Sequence, residues 1–228
     1  MKTKAVVLLS GGLDSTASLM WAAGPDVDLY CLTFNYGQKN KGEIDFAKQI
    51  AKNCRGVVQH KVLTIPNIFE GSSLTSDVEV DRSKSTPNTY VPARNTIFLA
   101  YALAWAEGLG AQKIYIGATR NSDEQEESAY PDARPDYFKA FQAMATLATV
   151  QGREGNPVLI RTPVIYMPKA MMIKFMIPMP ILLLTRSCYN LDDKGVSCGE
   201  CDACSMRLSE FRKVGMTDPI PYKPGKGV

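Results

Sequence analysis

The sequence predicts a doubly wound α/β fold with a mostly parallel sheet and a small C-terminal appendage. Three observations predict it. Strand and helix patterns alternate through the first half of the chain. The first strand runs directly into a glycine loop, Leu8–Thr16, "LLSGGLDST". A short Cys- and Gly-rich tail follows the last regular pattern. At 228 residues the chain suits one large domain with an appendage, divided here as 1–184 and 185–228.

The elements follow in order. "AVVLL" (Ala5–Leu9) is a buried strand, and a helix follows from about Asp14 to Trp21. "DLYCLTF" (Asp28–Phe34) is a second strand. "GEIDFAKQIAKN" (Gly42–Asn53) places Ile44, Ala47, Ile50 and Ala51 on one helical face. "VVQHKVLTI" (Val57–Ile65) is a third strand, with the sole histidine, His60, in a structural position. A polar stretch from Pro66 to Pro92 is long enough to be functional or mobile. Then come an apolar helix (Asn95–Gly110) closed by glycine, a strand (Lys113–Ala118), a helix (Asp136–Thr149) and a fifth strand (Val158–Val164).

Composition excludes several classes. The chain is 45% hydrophobic and 21% charged, with net charge +3 and no run of five like charges. It therefore has no nucleic-acid-binding arm. The apolar run after the N-terminal lysines is too short for a signal peptide, and "FMIPMPILLL" (Phe175–Leu184), with two prolines, is far short of a membrane span. A cytoplasmic location is expected, with reduced cysteines that act as metal ligands when clustered.

A loop between a buried first strand and a helix lies at the carboxyl edge of the sheet, where doubly wound folds bind ligands. The helix start offers free amides and a positive dipole end. Gly11 and Gly12 let the backbone approach a ligand, and Ser10 and Ser15 add hydroxyls. The loop lacks the lysine of G-x-x-x-x-G-K-[ST] and does not fit G-x-G-x-x-G. A tight turn capped by Asp14 or Ser15 is the plain structural reading. The ordered set Ser-Gly-Gly-x-Asp-Ser after an apolar strand favours phosphate binding.

Cys188, Cys198, Cys201 and Cys204 are spaced C-x9-C-x2-C-x2-C. Four thiolates suit a closed tetrahedral zinc site with no open catalytic position, and Gly199 permits a tight knuckle. The rival is an iron–sulfur cluster, but the run after Cys204 is "SMRLSEF" rather than x3-C-P. Cys31 and Cys54 fall in strand and helix patterns and are read as buried neutral thiols.

Other residues have local readings. Arg94 and Asn95 stand at the dipole-positive end of an apolar helix entered through the rigid Pro92. Arg94 there suits a phosphate or carboxylate; a surface salt bridge is the alternative. Asp132 and Arg134 lie in a Pro-bracketed loop, where they either pair with each other or grip a substrate amide and carboxylate. Tyr36 and Gln38 follow the second strand on the same sheet edge as the loop, where they are expected to line the pocket of whatever ligand the loop holds.

The segment "SGGLDS" resembles the pyrophosphate loop of the ATP pyrophosphatases, adenine nucleotide alpha hydrolase-like (HUP-type) proteins. Together with "LTFNYGQKNKGEIDFAKQIA", "NTYVPARNTIFLAYALAWAE", "YPDARPDYFKAF", "LTRSCY" and "CGECDAC", it is similar to the QueC family of queuosine biosynthesis over nearly the whole chain. The resemblance implies an ATP-dependent ligase. It would adenylate 7-carboxy-7-deazaguanine, take up ammonia to give the amide, and use a second activation to give the nitrile. Leu9, Ser10, Gly11, Gly12, Leu13, Asp14, Ser15, Thr16, Ala17, Ser18 and Leu19 would then hold ATP. Ser10 to Ser15 would grip pyrophosphate with Lys169 or Arg94 and Mg²⁺, and the cysteines would hold one structural Zn²⁺, in a homodimer.

The chain departs from the family pattern at Asn40, at Glu126–Ala129 and in the Met- and Pro-rich Met171–Leu184. Pro178 and Pro180 are expected to break a helix there. Two other readings stand beside the ligase: an adenylating enzyme acting on another base or a tRNA nucleotide, and a non-catalytic nucleotide-sensing homologue.

Overall fold

The computed structural model describes residues 2–81, 83–119 and 128–227. Five parallel strands form one sheet: β1 (Thr3–Leu8), β2 (Val27–Asn35), β3 (Val57–Thr64), β4 (Lys113–Tyr115) and β5 (Leu159–Arg161). Their spatial order is β3-β2-β1-β4-β5, the doubly wound class expected. Helices α1 (Leu13–Ala22), α2 (Glu43–Asn53), α3 (Arg94–Leu109), α4 (Pro135–Ala148), the one-turn α5 (Val150–Arg153), α6 (Lys169–Met176) and α7 (Asp202–Lys213) complete the fold.

The central strands β1 and β2 are buried on both faces, which explains their apolar runs, whereas the edge strand β3 is half-buried to exposed along its length. In β1 and the residue after it, Val6 and Leu8 point into one core, with Phe34, Leu99, Ile114 and Phe138. Ala5, Val7 and Leu9 point into the other, with Leu19, Ile50, Met172 and Phe211. The period of two thus feeds two helical layers. Phe211 belongs to α7, so the C-terminal segment contributes to the second core.

Two strands are shorter than the sequence predicts. β4 ends at Tyr115 and β5 at Arg161. Thr162 is followed by Pro163, which has no amide proton for a ladder. Beyond β4, Gly117 passes so close to α1 that a Cβ there would lie 2.5 Å from the backbone of Asp14 and Ser15. The Met- and Pro-rich stretch behaves as its prolines require. α6 stops at Met176 and a 3-10 turn spans Pro180–Leu184, with Met172, Met176, Ile181 and Leu182 buried.

Sheet order reverses between β1 and β4. The crevice at their carboxyl ends is the topological switch point where ligands bind in this class of fold.

Candidate active site and metal centre

The glycine loop occupies that crevice. Gly12 precedes the first turn of α1, and no side chain caps the helix, so neither Asp14 nor Ser15 plays the structural capping role. The first amides of α1 are therefore open to an anion. Ser15 Oγ instead orders the loop. It donates to Gly12 O at 3.1 Å, accepts from Ser10 N at 3.1 Å, and lies 3.0 Å from Ser10 Oγ. Thr16 Oγ1 donates to the same Gly12 carbonyl at 2.8 Å. Gly11 has φ +88°, and a Cβ there would meet Glu43 O at 2.5 Å, so the loop is seated directly on α2. Ala17, Ser18 and Leu19 are closed to solvent and support the loop from within the core.

Two adjoining cavities, about 220 and 350 Å³, share this crevice. The larger is lined by Gly12, Leu13, Asp14 and Ser15 of the loop and, from α6, Lys169. Lys169 Nζ lies 3.1 and 3.2 Å from the two Asp14 carboxylate oxygens, and Thr119 Oγ1 donates to Asp14 Oδ2 at 3.2 Å. The smaller cavity is partly apolar, with Leu9, Leu32, Phe34, Phe98 and Leu74 beside Tyr36, Gln38 and Asn40. Ser10, Ser15, Glu43, Arg94 and Asn95 line both.

Arg94 is the first residue of α3, and its position is built by strain. Ala93 before it has φ +51°, the sole non-glycine residue with positive φ among the described residues. Tyr90 Oη accepts from Ala93 N at 2.9 Å and holds that geometry. Arg94 Nη1 donates to Tyr36 Oη at 3.0 Å, so it is a cleft residue rather than a surface ion pair. Asn95 N donates to Asp132 Oδ2 at 2.9 Å, and Asn95 Nδ2 to Asp132 O at 2.9 Å. Burial pushes the Asp132 carboxyl up against the pull of that bond and of Arg94. Arg134 Nε donates to Ser128 O at 2.9 Å. Asp132 and Arg134 are thus not paired by these bonds. Asp132 braces the start of α3 from behind the cleft, and neither residue lines the two cavities.

Sequence reasoning missed Glu43 and Arg186. Glu43, half-buried at the start of α2, accepts from Gln38 Nε2 at 3.3 Å; Gln38 also donates to Phe34 O at 3.0 Å and accepts from Tyr36 N at 2.9 Å. Burial pushes its carboxyl up to about 7, against Arg94 and Gln38. An acid at a helix start reads in sequence only as a dipole complement. Arg186 N donates to Gly11 O at 2.9 Å, and its guanidinium lies 4.1 Å from the centre of the Phe46 ring.

His60 is structural. The Thr33 hydroxyl donates to Leu9 O at 2.5 Å, so its oxygen accepts from His60 Nε2 at 2.8 Å. Cys31 and Cys54 are buried thiols, both pushed up by burial, Cys54 to about 11.

The four sulfurs of Cys188, Cys198, Cys201 and Cys204 lie within 4.8 Å of one another, with Cys198 and Cys204 4.0 Å apart. A tetrahedral ZnS₄ centre needs sulfur separations of about 3.8 Å from its Zn–S bonds of about 2.3 Å. The set can therefore hold a metal ion with small adjustment. Backbone amides already address the sulfurs: Asn190 N and Cys198 N each lie 3.2 Å from Cys188 Sγ, and Cys201 N 3.4 Å from Cys198 Sγ. Gly199 has φ +78°, and a Cβ there would strike Lys226 at 2.5 Å. Asn40 Nδ2 donates to Cys188 O at 2.7 Å, tying this centre to the rim of the smaller cavity.

Among the departures, Glu126 and Glu127 lie outside the described residues, whereas Ser128 is buried and its Oγ accepts from Tyr130 N at 3.2 Å. Among the described residues, no helix is long and apolar enough to cross a membrane.

Comparison with known proteins places this geometry. Residues 4–215 match the family described as queuosine biosynthesis protein QueC. The chain is 45% identical to the 7-cyano-7-deazaguanine synthase of Desulfatibacillum aliphaticivorans, with 98% of each chain covered. It is 44% identical to that of Magnetococcus marinus, with 96% of each covered, and 42% identical to that of Pseudomonas aeruginosa, with 96% and 98% covered. Among solved structures, a 4-thiouridine synthetase in complex with RNA and bound ATP is similar in fold, with TM-score 0.52 and 15% identity. That likeness covers 93% of this chain and 50% of the synthetase.

Proposed function

The chain belongs to the QueC family, the 7-cyano-7-deazaguanine synthases of queuosine biosynthesis, and on that premise we propose how its cleft carries out the synthesis. ATP lies with its β,γ-phosphates on the uncapped start of α1, between Ser10 and Ser15, with Lys169 at the far side. 7-Carboxy-7-deazaguanine occupies the partly apolar cavity beside Phe98, with Arg94 and Asn95 reaching its carboxylate. The carboxylate oxygen attacks the α-phosphate and pyrophosphate leaves. Loop amides and hydroxyls and the Lys169 ammonium stabilise the charge that develops on it. Ammonia displaces AMP to give the amide, and a second ATP activates the amide oxygen on the way to the nitrile. Positioning two reactants in one crevice supplies much of the rate.

The observation that carries this reading is the join of the two cavities at Ser10, Ser15, Arg94 and Asn95. A carboxylate in one cavity meets an α-phosphate in the other. Mg²⁺ prefers oxygen ligands and would be held by the phosphates with Asp14, adding charge neutralisation. Zn²⁺ fits the four cysteines and would brace the tail. We read 1–184 as the catalytic domain and 185–228 as the metal-binding segment packed on it, because Phe211 enters the shared core. A homodimer would cover the exposed Met144, Leu147 and Val150 of α4 and α5, and reduced cysteines suit the cytoplasm. Asp132 acts by holding the start of α3 in place, and Arg134 by tying down Ser128.

Phosphorus NMR of ATP turnover tests the reading. AMP and pyrophosphate are expected, only in the presence of the deazaguanine acid, and Lys169→Ala is expected to lower turnover by about 10²-fold or more. Release of ADP and phosphate, or turnover with tRNA instead of the acid, would contradict it.

A further inference from the structure

Among the described residues of the cleft, the loop and the cysteines leave two carboxylates, Glu210 of α7, which is paired with Lys213, and Glu43. Glu43 is the first residue of α2, and its side chain lines both cavities where they join. It cannot drift from that place. Its carbonyl lies against Gly11, where a Cβ would come within 2.5 Å, and Gln38, anchored on Phe34 O, donates to its carboxylate. The join is also where an acyl adenylate places its carbonyl carbon, so a nucleophile must arrive there. The nitrogen source at neutral pH is mostly ammonium, which has no lone pair and cannot attack until it loses a proton.

Resting on the function proposed above, we propose that Glu43 is the catalytic residue that receives ammonium and accepts its proton. Ammonium docks on the Glu43 carboxylate and gives it one proton. The ammonia so formed attacks the acyl adenylate carbonyl, and the C–N bond forms. The nitrogen sheds its next surplus proton to solvent, the C–O bond to phosphate breaks, and AMP leaves with the electron pair. Protonated Glu43 returns its proton to solvent. Conversion of amide to nitrile removes the two remaining protons from the same nitrogen, and the same carboxylate is in place to take them. The surroundings of Glu43 suit this role. Burial raises its affinity for a proton, with a midpoint of about 7, so it gains and releases one near neutrality. The charged and titratable groups that face it are Arg94 of α3 and Tyr36 after β2, with neutral Gln38 beside them.

The test compares the wild-type metal-loaded protein with Glu43→Gln. Acid-dependent exchange of pyrophosphate into ATP reports adenylation alone and is expected within about threefold of wild type. Nitrile formation from ammonium is expected to fall about 10²-fold or more. Hydroxylamine, largely unprotonated at neutral pH, is expected to trap the acyl adenylate at near wild-type rate. Nitrile formation at the wild-type rate in Glu43→Gln would overturn the proposal. So would parallel loss of exchange, which would assign Glu43 to adenylation instead. The wild type supplies an independent reading: kcat/KM for total ammonium is expected to level off above about pH 7. A continued climb with pH would mean that free ammonia is captured from solution, and would also overturn it. If the wild type makes no nitrile at all, it is the function above that fails.

Discussion

Asp218 lies in the C-terminal segment with its side chain closed to solvent, and four donors converge on it, the weakest being Ile220 N at 3.4 Å. Arg207 forks onto it at 2.6 and 3.0 Å, and Tyr222 Oη donates at 2.6 Å. The Arg207 side chain is 3% exposed, so removing one partner strands a buried charge. Asp218→Ala is expected to lower unfolding free energy by about 3–5 kcal/mol in urea titration; a loss under about 1 kcal/mol would contradict this account. Glu43 carries the opposite kind of burden. Its carboxyl is raised to about 7, so between its ordinary value and that one the folded chain holds a proton the unfolded chain has released. Stability from this group therefore falls as pH rises through that window. Glu43→Gln is expected to raise Tm relative to wild type at pH 8 and not at pH 4, a stability gain set against function. An equal shift at both would contradict it. At this scale the sequence was readable where spacing itself is chemical, as in Ser10 to Ser15 and the four cysteines. Glu43, Arg186 and Asp218 were not, because a single charge in a helix start or a tail looks like any solvated one until the fold closes over it.

The central elements were legible because β1 and β2 are buried on both faces, which makes each an apolar run, and because α2 turns Ile44, Ala47, Ile50 and Ala51 to the core at helical spacing. What was not legible is where strands stop. β4 leaves the sheet after Tyr115 because its continuation packs on α1, a contact between residues about a hundred positions apart in the chain. That contact positions the first turn of α1. Gly117→Ala places a methyl 2.5 Å from the backbone of Asp14 and Ser15, where no flexible side chain can yield. It is expected to cost about 1–3 kcal/mol in stability. It should also depress pyrophosphate exchange more than a substitution of similar cost in the other core, such as Phe141→Leu in α4. Equal exchange in the two variants would show that β4 does not set the loop.

Across the whole molecule, the loop and the cysteine centre are mechanically joined though no residue belongs to both. Arg186 holds Gly11 with its amide and Gly195 O with its Nε at 2.9 Å, two residues from Cys188. Asn40 holds the Cys188 carbonyl from the other side. Removal of the metal by a chelator is expected to lower Tm and to abolish exchange, with recovery when Zn²⁺ is restored; full exchange in metal-free protein would mean the tail is only an ornament on the domain. The resemblance in the sequence reached this far in naming the parts, but the coupling between them exists only in the folded chain. The most direct measurement of the central claim is mass spectrometry of folded, zinc-loaded protein incubated with 7-carboxy-7-deazaguanine, ATP, Mg²⁺ and ammonium. The account predicts 7-cyano-7-deazaguanine that takes its nitrile nitrogen from ¹⁵N-ammonium; absence of any cyano product from such protein would contradict it.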